Sequence, residues 1–229
     1  YEVNAYRYML KPIEYNIFTP GNYYYNGVGH VTVCYDKILE IGYEGIIKEA
    51  QDELKLCRVS DMDYVSKSQF LNSVILSCKA VINYAKRYSV LAKKLAEKCI
   101  DKKRKKELEI ISKNCDRVPE KGARNFYEAC QSFWFVQMLL QLESSGHSIS
   151  PGRFDQYMYP YYELSINKGE LNKEEAQELI DCIWVKLNEL NKVRDAASAE
   201  GFAGYGLFQN LIVGGQNGEG IDVTNDLSY

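Results

Sequence analysis

Histidine, tryptophan and proline are scarce in this chain of 229 residues, at 2, 2 and 5 respectively. Two histidines cannot build a histidine-rich metal centre, and no C-x-x-C pair or carboxylate cluster at ligand spacing makes up the deficit. No apolar run approaches the roughly 18 residues of a membrane span, and the first residues carry no signal-peptide pattern. An excess of one charge is missing too. With 28 Lys+Arg against 31 Asp+Glu, the net charge is −3, which excludes a global basic field for nucleic acid or an anionic membrane. The 7 cysteines, Cys34, Cys57, Cys78, Cys99, Cys115, Cys130 and Cys182, are odd in number and scattered. They read as free thiols of a reducing cytoplasm, several of them on apolar helix faces, and not as a disulfide framework.

What is present is the composition of a globular protein with enough apolar residues for a sizeable core. The 19 tyrosines predict many buried rings with a hydrogen-bonded hydroxyl. Residues 1–30 read mostly as loop, followed by a brief strand at Val31–Val33. Asp36 is an N-cap candidate for a helix to about Leu56, with Gly42 and Gly45 weakening its first turns. Helical spacing runs from Ser68 to about Cys99 through Phe70, Val74, Cys78, Ile82, Ala85 and Leu95. The run Lys102–Lys106 reads as a solvated face, and Val118–Gly122 as a turn. Ala123–Leu142 is a helix apolar on almost every side, which belongs in a core. Asn172 and Glu175 form a capping box opening a fourth helix through Leu179, Ile183, Trp184 and Leu187. Ser198–Tyr205 is rich in small residues, and Leu211–Val213 reads as a short buried strand ended by Gly214–Gly215. The pattern is α/β and predominantly helical, without repeat or linker, and predicts a single partial domain over 1–229. Tyr1 at the start and the helix-start pattern Thr224–Tyr229 at the end predict a fragment of a longer protein.

The densest polar stretch is Glu143–Tyr157, which follows the apolar helix directly. Polar groups there must be hydrogen-bonded or line a pocket. His30 and His147 both follow glycine, and two roles are open to each: bonding its own loop or touching a substrate. Arg153 and Asp155 are two apart and would share a face in a strand; a buried network holding the loop is the preferred reading. Ser148 lacks a nucleophile-elbow context, and Gly214–Gly218 is neither a P-loop nor a dinucleotide fingerprint but a turn after a strand.

Many collinear segments resemble the glycyl radical enzymes, the family of pyruvate formate-lyase and the glycerol, diol, choline and hydroxyproline lyases. They include Asn26-Gly-Val-Gly-His-Val, Tyr35-Asp-Lys-Ile-Leu, Cys115-Asp-Arg-Val-Pro, Gly122-Ala-Arg-Asn-Phe-Tyr-Glu-Ala, Gln131-Ser-Phe-Trp-Phe, Gln209-Asn-Leu-Ile-Val-Gly-Gly and Thr224-Asn-Asp-Leu-Ser-Tyr. The resemblance implies part of a ten-stranded barrel, two five-stranded half-sheets wrapped in helices. It also implies a glycyl radical installed by a separate activase that uses S-adenosylmethionine and an iron–sulfur cluster, a thiyl cysteine, and a homodimer in the cytoplasm. The family's Gly-Cys-x-Glu and Arg-Val-x-Gly-Tyr motifs are absent from these residues, so this segment is expected to be one wall of the pocket and inactive by itself.

By the same resemblance, His30 and the pair His147–Ser148 match positions that contact substrate hydroxyls in glycerol and diol dehydratases. Tyr205 matches an aromatic pocket wall, and Asn26 stands where choline lyases carry an acid. In the acyltransferase branch small apolar residues replace His147 and Ser148. These identities imply a C–O lyase of a small polyol, with His30 and His147 moving a proton to the leaving hydroxyl and Asn26, Ser148 and Tyr205 binding substrate. Arg124, Arg153 and Asp155 read as scaffold. The competing readings are a formate C-acetyltransferase or arylacetate-type decarboxylase, which need a carboxylate clamp, and a non-catalytic binding fragment.

Overall fold

The long apolar period of the sequence becomes a stack of helices whose ends feed four very short strands. The computed structural model describes residues 30–143, 148–190, 200 and 206–229. In chain order these are β1 (Val31–Thr32), α1 (Tyr35–Leu56), α2 (Tyr64–Lys98), α3 (Lys102–Arg117), α4 (Phe126–Glu143), β2 (Ile149–Ser150), β3 (Gly152–Arg153), α5 (Phe154–Asn167), α6 (Lys173–Asn188), β4 (Leu211–Ile212) and a 3₁₀ turn (Asp226–Ser228). The expected loop over 1–30 and the Ser198–Tyr205 segment lie almost wholly outside the described residues.

Helix α4 is the axis of the packing. One side carries Phe126, Phe133 and Val136 into a cluster with Tyr35, Leu39, Phe154, Met158 and Ile183. The other side carries Phe135 against Ala85 and Cys115, with Tyr84, Ile111 and Met138 around them. A helix buried from both sides has no polar face to show water, which is why its sequence is apolar all round. Of the cysteines, Cys78, Cys115 and Cys130 are buried and all seven are free.

Helix α1 is broken at Gly42, whose φ of 64° lies in the left-handed region. A Cβ there would sit 2.3 Å from the Glu120 carbonyl oxygen, so only glycine fits. The cap of α1 is Cys34, two residues before the expected Asp36, which falls inside the first turn. Two helices were not foreseen. Helix α3 starts at Asp101, whose carboxylate accepts from the N–H of Lys103 (2.8 Å) and Arg104 (3.2 Å). Lys102–Lys106 does form an exposed face of that helix. Helix α5 buries Phe154, Met158 and Tyr162 at a spacing of four and turns Pro160 to solvent. Helix α6 opens with the expected capping box, Asn172 and Glu175 bonding reciprocally.

The strands form two parallel pairs, β1 with β2 (Val31 opposite Ile149) and β3 with β4 (Gly152 opposite Leu211). The strand expected to be buried at Leu211–Val213 is not: Leu211 is half-buried and Ile212 and Val213 are exposed. It has β3 on one side and no other strand partner among the described residues. No helix of the described residues is long and apolar enough to cross a membrane.

Candidate functional site

Three segments converge where α4 hands over to the strands. Ser148, just before β2, is buried and has φ 67°, a left-handed conformation rare for a residue with a side chain. Its backbone is held from both sides. Its carbonyl accepts from the Val31 N–H at 2.9 Å, and its N–H donates to the Leu207 carbonyl at 2.9 Å. Phe208, next along that third segment, is the other non-glycine residue with positive φ among the described residues, at 50°. Strained backbone of this kind persists where the surroundings over-determine it, and it concentrates at ligand sites.

His30 and Ser148 each directly precede a residue of the paired strands, Val31 and Ile149. His30 is exposed and Ser148 is not. The Ser148 hydroxyl is buried with no hydrogen-bond partner among the described residues, a costly arrangement. Of the five expected site residues, His30 and Ser148 are among the described ones, both at the start of the β1–β2 pair. Asn26, His147 and Tyr205 lie outside the described residues.

Behind this site runs a polar network that the sequence reading missed. Gln137 and Gln141, fully buried on α4, both donate to the Gln209 side-chain oxygen, at 2.8 and 3.2 Å. Gln137 also donates to the Ile149 carbonyl at 2.8 Å and accepts from the Tyr35 hydroxyl. Gln209 donates in turn to the Leu187 carbonyl at 3.1 Å. Two glutamines four apart in the apolar C-terminal half of α4 were the available signal, since a buried amide must find partners.

Arg153 and Asp155 do not share a strand. Arg153 ends β3 and is exposed, whereas Asp155 lies fully buried in the first turn of α5. Both nonetheless grip Gly214: the Arg153 guanidinium donates to its carbonyl at 3.2 Å, and the Asp155 carboxylate accepts its N–H at 2.6 Å. The scaffold reading thus holds for the pair although the geometry differs. Arg124 is scaffold as well, its guanidinium and N–H both on the buried Glu128 carboxylate. The Arg117 Nε lies 3.4 Å from the same carboxylate, an ion-pair distance without hydrogen-bond alignment. Two open grooves lined by described residues lie elsewhere. One of about 800 Å³ runs between α1 and α2, and one of about 480 Å³ lies beside α6 and the 3₁₀ turn.

Residues 3–229 match the family model described as pyruvate formate lyase-like. Among solved structures, that of 1,2-propanediol dehydration in Roseburia inulinivorans is 61% identical, with a TM-score of 0.89 over 95% of this chain and 27% of that one. The glycerol-bound B12-independent glycerol dehydratase from Clostridium butyricum is 57% identical, with a TM-score of 0.86 over 92% of this chain and 26% of that one. Among curated proteins, the isethionate sulfite-lyase of Desulfovibrio desulfuricans is 41% identical over 85% of this chain and 24% of its own length. The chain thus spans about a quarter of the length of the relatives it matches.

Proposed function

The chain belongs to the pyruvate formate lyase-like family, and from that premise we propose that it forms one wall of the substrate pocket of a glycyl radical lyase that removes a hydroxyl from a small polyol. The observation that carries this reading is the buried Ser148 hydroxyl, which has no hydrogen-bond partner among the described residues, at the start of the strand pair that His30 also enters. The identity of 61% and 57% with propanediol and glycerol dehydratases supports a C–O lyase. The 41% likeness to a sulfite-lyase favours C–S cleavage as the second reading, and by a smaller margin of identity. For the decarboxylase alternative, an indoleacetate decarboxylase is 32% identical over 80% of this chain, a lower likeness than either dehydratase shows.

In this reading residues 1–229 are part of a single domain, a segment of the ten-stranded barrel, within a cytoplasmic homodimer activated by a separate S-adenosylmethionine and iron–sulfur enzyme. The radical, held outside these residues, supplies abstraction of a hydrogen from the substrate carbon. The residues of this chain bind and move protons. Ser148 pairs with the hydroxyl that stays, while Asn26 and Tyr205 shape the pocket. His30 and His147 deliver a proton to the hydroxyl on the neighbouring carbon as its C–O bond breaks, so that it leaves as water and not as hydroxide. A pocket wall of packed helices keeps bulk water from the reacting atoms.

The test is turnover by the full-length, activated protein under anaerobic conditions, offered glycerol, 1,2-propanediol and isethionate separately. Aldehyde from a polyol is expected, and Ser148→Ala should lower kcat/KM by about tenfold, the worth of one hydrogen bond. Sulfite release from isethionate with no aldehyde from either polyol would move the assignment to C–S cleavage.

A further inference from the structure

We infer that Gln137 is a positioning residue that locks Ser148 in its left-handed conformation, and that Tyr35 holds the Gln137 amide in place by donating to its oxygen. The inference rests on the proposed role of Ser148 in binding substrate. Its geometric basis is independent of that role.

The amide nitrogen of Gln137 donates to two acceptors, each 2.8 Å away, that stand on the two segments bracketing Ser148. One acceptor is the carbonyl of Ile149, the residue after Ser148. The other is the side chain of Gln209, two residues beyond the Leu207 carbonyl to which Ser148 itself donates. A single buried amide therefore staples together the segments that carry Ser148 and Phe208, the two non-glycine residues of positive φ among the described residues. Holding a side-chain-bearing residue in the left-handed region is strained, so a local clamp is required.

An amide can clamp in this way only if it faces the right way round. Its oxygen and nitrogen are nearly equal in shape, and the flipped rotamer would set oxygen against the Ile149 carbonyl and the Gln209 oxygen. The Ile149 carbonyl, which can only accept, breaks the tie, and Tyr35 completes the set from the other side. The Tyr35 hydroxyl is buried against Phe133 and Tyr157 and reaches the Gln137 oxygen. Burial pushes that hydroxyl well above the ordinary tyrosine range, so it stays protonated and donates. With the oxygen engaged by Tyr35, the two N–H groups are left for the strand segments. Gln141 braces the shared acceptor from one turn further along α4, and Gln209 is anchored to the end of α6 through the Leu187 carbonyl.

Tyr35→Phe removes only the hydroxyl, and Gln137→Met keeps the volume but removes both donors. In the full-length protein we expect amide hydrogen exchange in peptides covering 148–153 to speed up about tenfold in each variant, with peptides of α2 and α3 unchanged. The KM for glycerol should rise about tenfold while kcat moves less than about threefold, a split that general destabilisation would not produce. Wild-type exchange at 148–153 in Tyr35→Phe, or an equal rise throughout the helices, overturns the inference. If Gln137→Met does not fold, Tyr35→Phe decides alone. If the wild-type enzyme ignores glycerol, the proposed substrate fails and the exchange readout still decides the clamp.

Discussion

A fully buried carboxylate is tolerated only when its charge is answered, and Asp155 is answered by a backbone. Its Oδ2 accepts from the Gly214 N–H at 2.6 Å and from the Ser228 hydroxyl, while Oδ1 has no partner among the described residues. What Asp155 must supply is thus one acceptor oxygen in a fixed place. Asparagine can supply it and put its amide nitrogen where Oδ1 now stands. Asp155→Asn should cost about 1 kcal/mol in urea unfolding, whereas Asp155→Ala, which strands two donors, should cost about 3 kcal/mol. Equal losses would mean that the charge, not the hydrogen bonds, matters. The sequence reading had this residue as part of a loop-holding network but on a strand, because spacing by two is ambiguous until the start of α5 is known. Ser148 shows the same limit: its identity marked a binding residue, but nothing in its neighbours announced a positive φ.

At the scale of elements, the tightest constraint is the crossing of α1 with the turn after α3. The break at Gly42 frees the N–H groups of Tyr43 and Glu44, which donate to the carbonyls of Pro119 (2.9 Å) and Glu120 (2.8 Å). On the other side of the crossing, Ala123 donates to the Leu39 carbonyl at 2.8 Å, and a Cβ on Gly122 would lie 2.0 Å from the Glu40 oxygen. That obstacle is backbone and cannot rotate away. Gly122→Ala should therefore cost about 3 kcal/mol or more, measured by urea unfolding. Gly169→Ala is the control: its φ is 65° but no atom lies within 4 Å, so only the left-handed backbone is penalised, by about 1 kcal/mol. Helices were legible where apolar spacing was long, as in α2 and α4. Helix α3 was hidden by its basic first turn, since its buried residues Leu108 and Cys115 come late. Helix α5 was hidden by Pro160, which its solvent-facing position makes tolerable.

For the molecule as a whole, the remaining question is what covers the apolar surface around α6 and β4. Trp184, Val213 and Tyr229 border the 480 Å³ groove, and Ile212 beside them is also exposed. If these residues form one wall of a larger barrel, the 229-residue chain produced by itself should bind a hydrophobic dye and self-associate in sedimentation. A monodisperse, dye-silent chain would favour the reading of a non-catalytic binding module. Family, helical class, the core role of α4 and the candidacy of His30 and Ser148 were all determined by the sequence, because hydrophobic period and motif order are local properties of the chain. Tertiary structure alone decided that β4 is exposed, that Arg153 and Asp155 meet on Gly214, and that a buried glutamine network stands behind Ser148. The physical reason is separation. Gln137 and Gln209 lie 72 residues apart, and Tyr35 and Gln137 lie 102 apart. A buried amide announces that it needs partners, but only the packed helices and strands determine which groups stand within its reach.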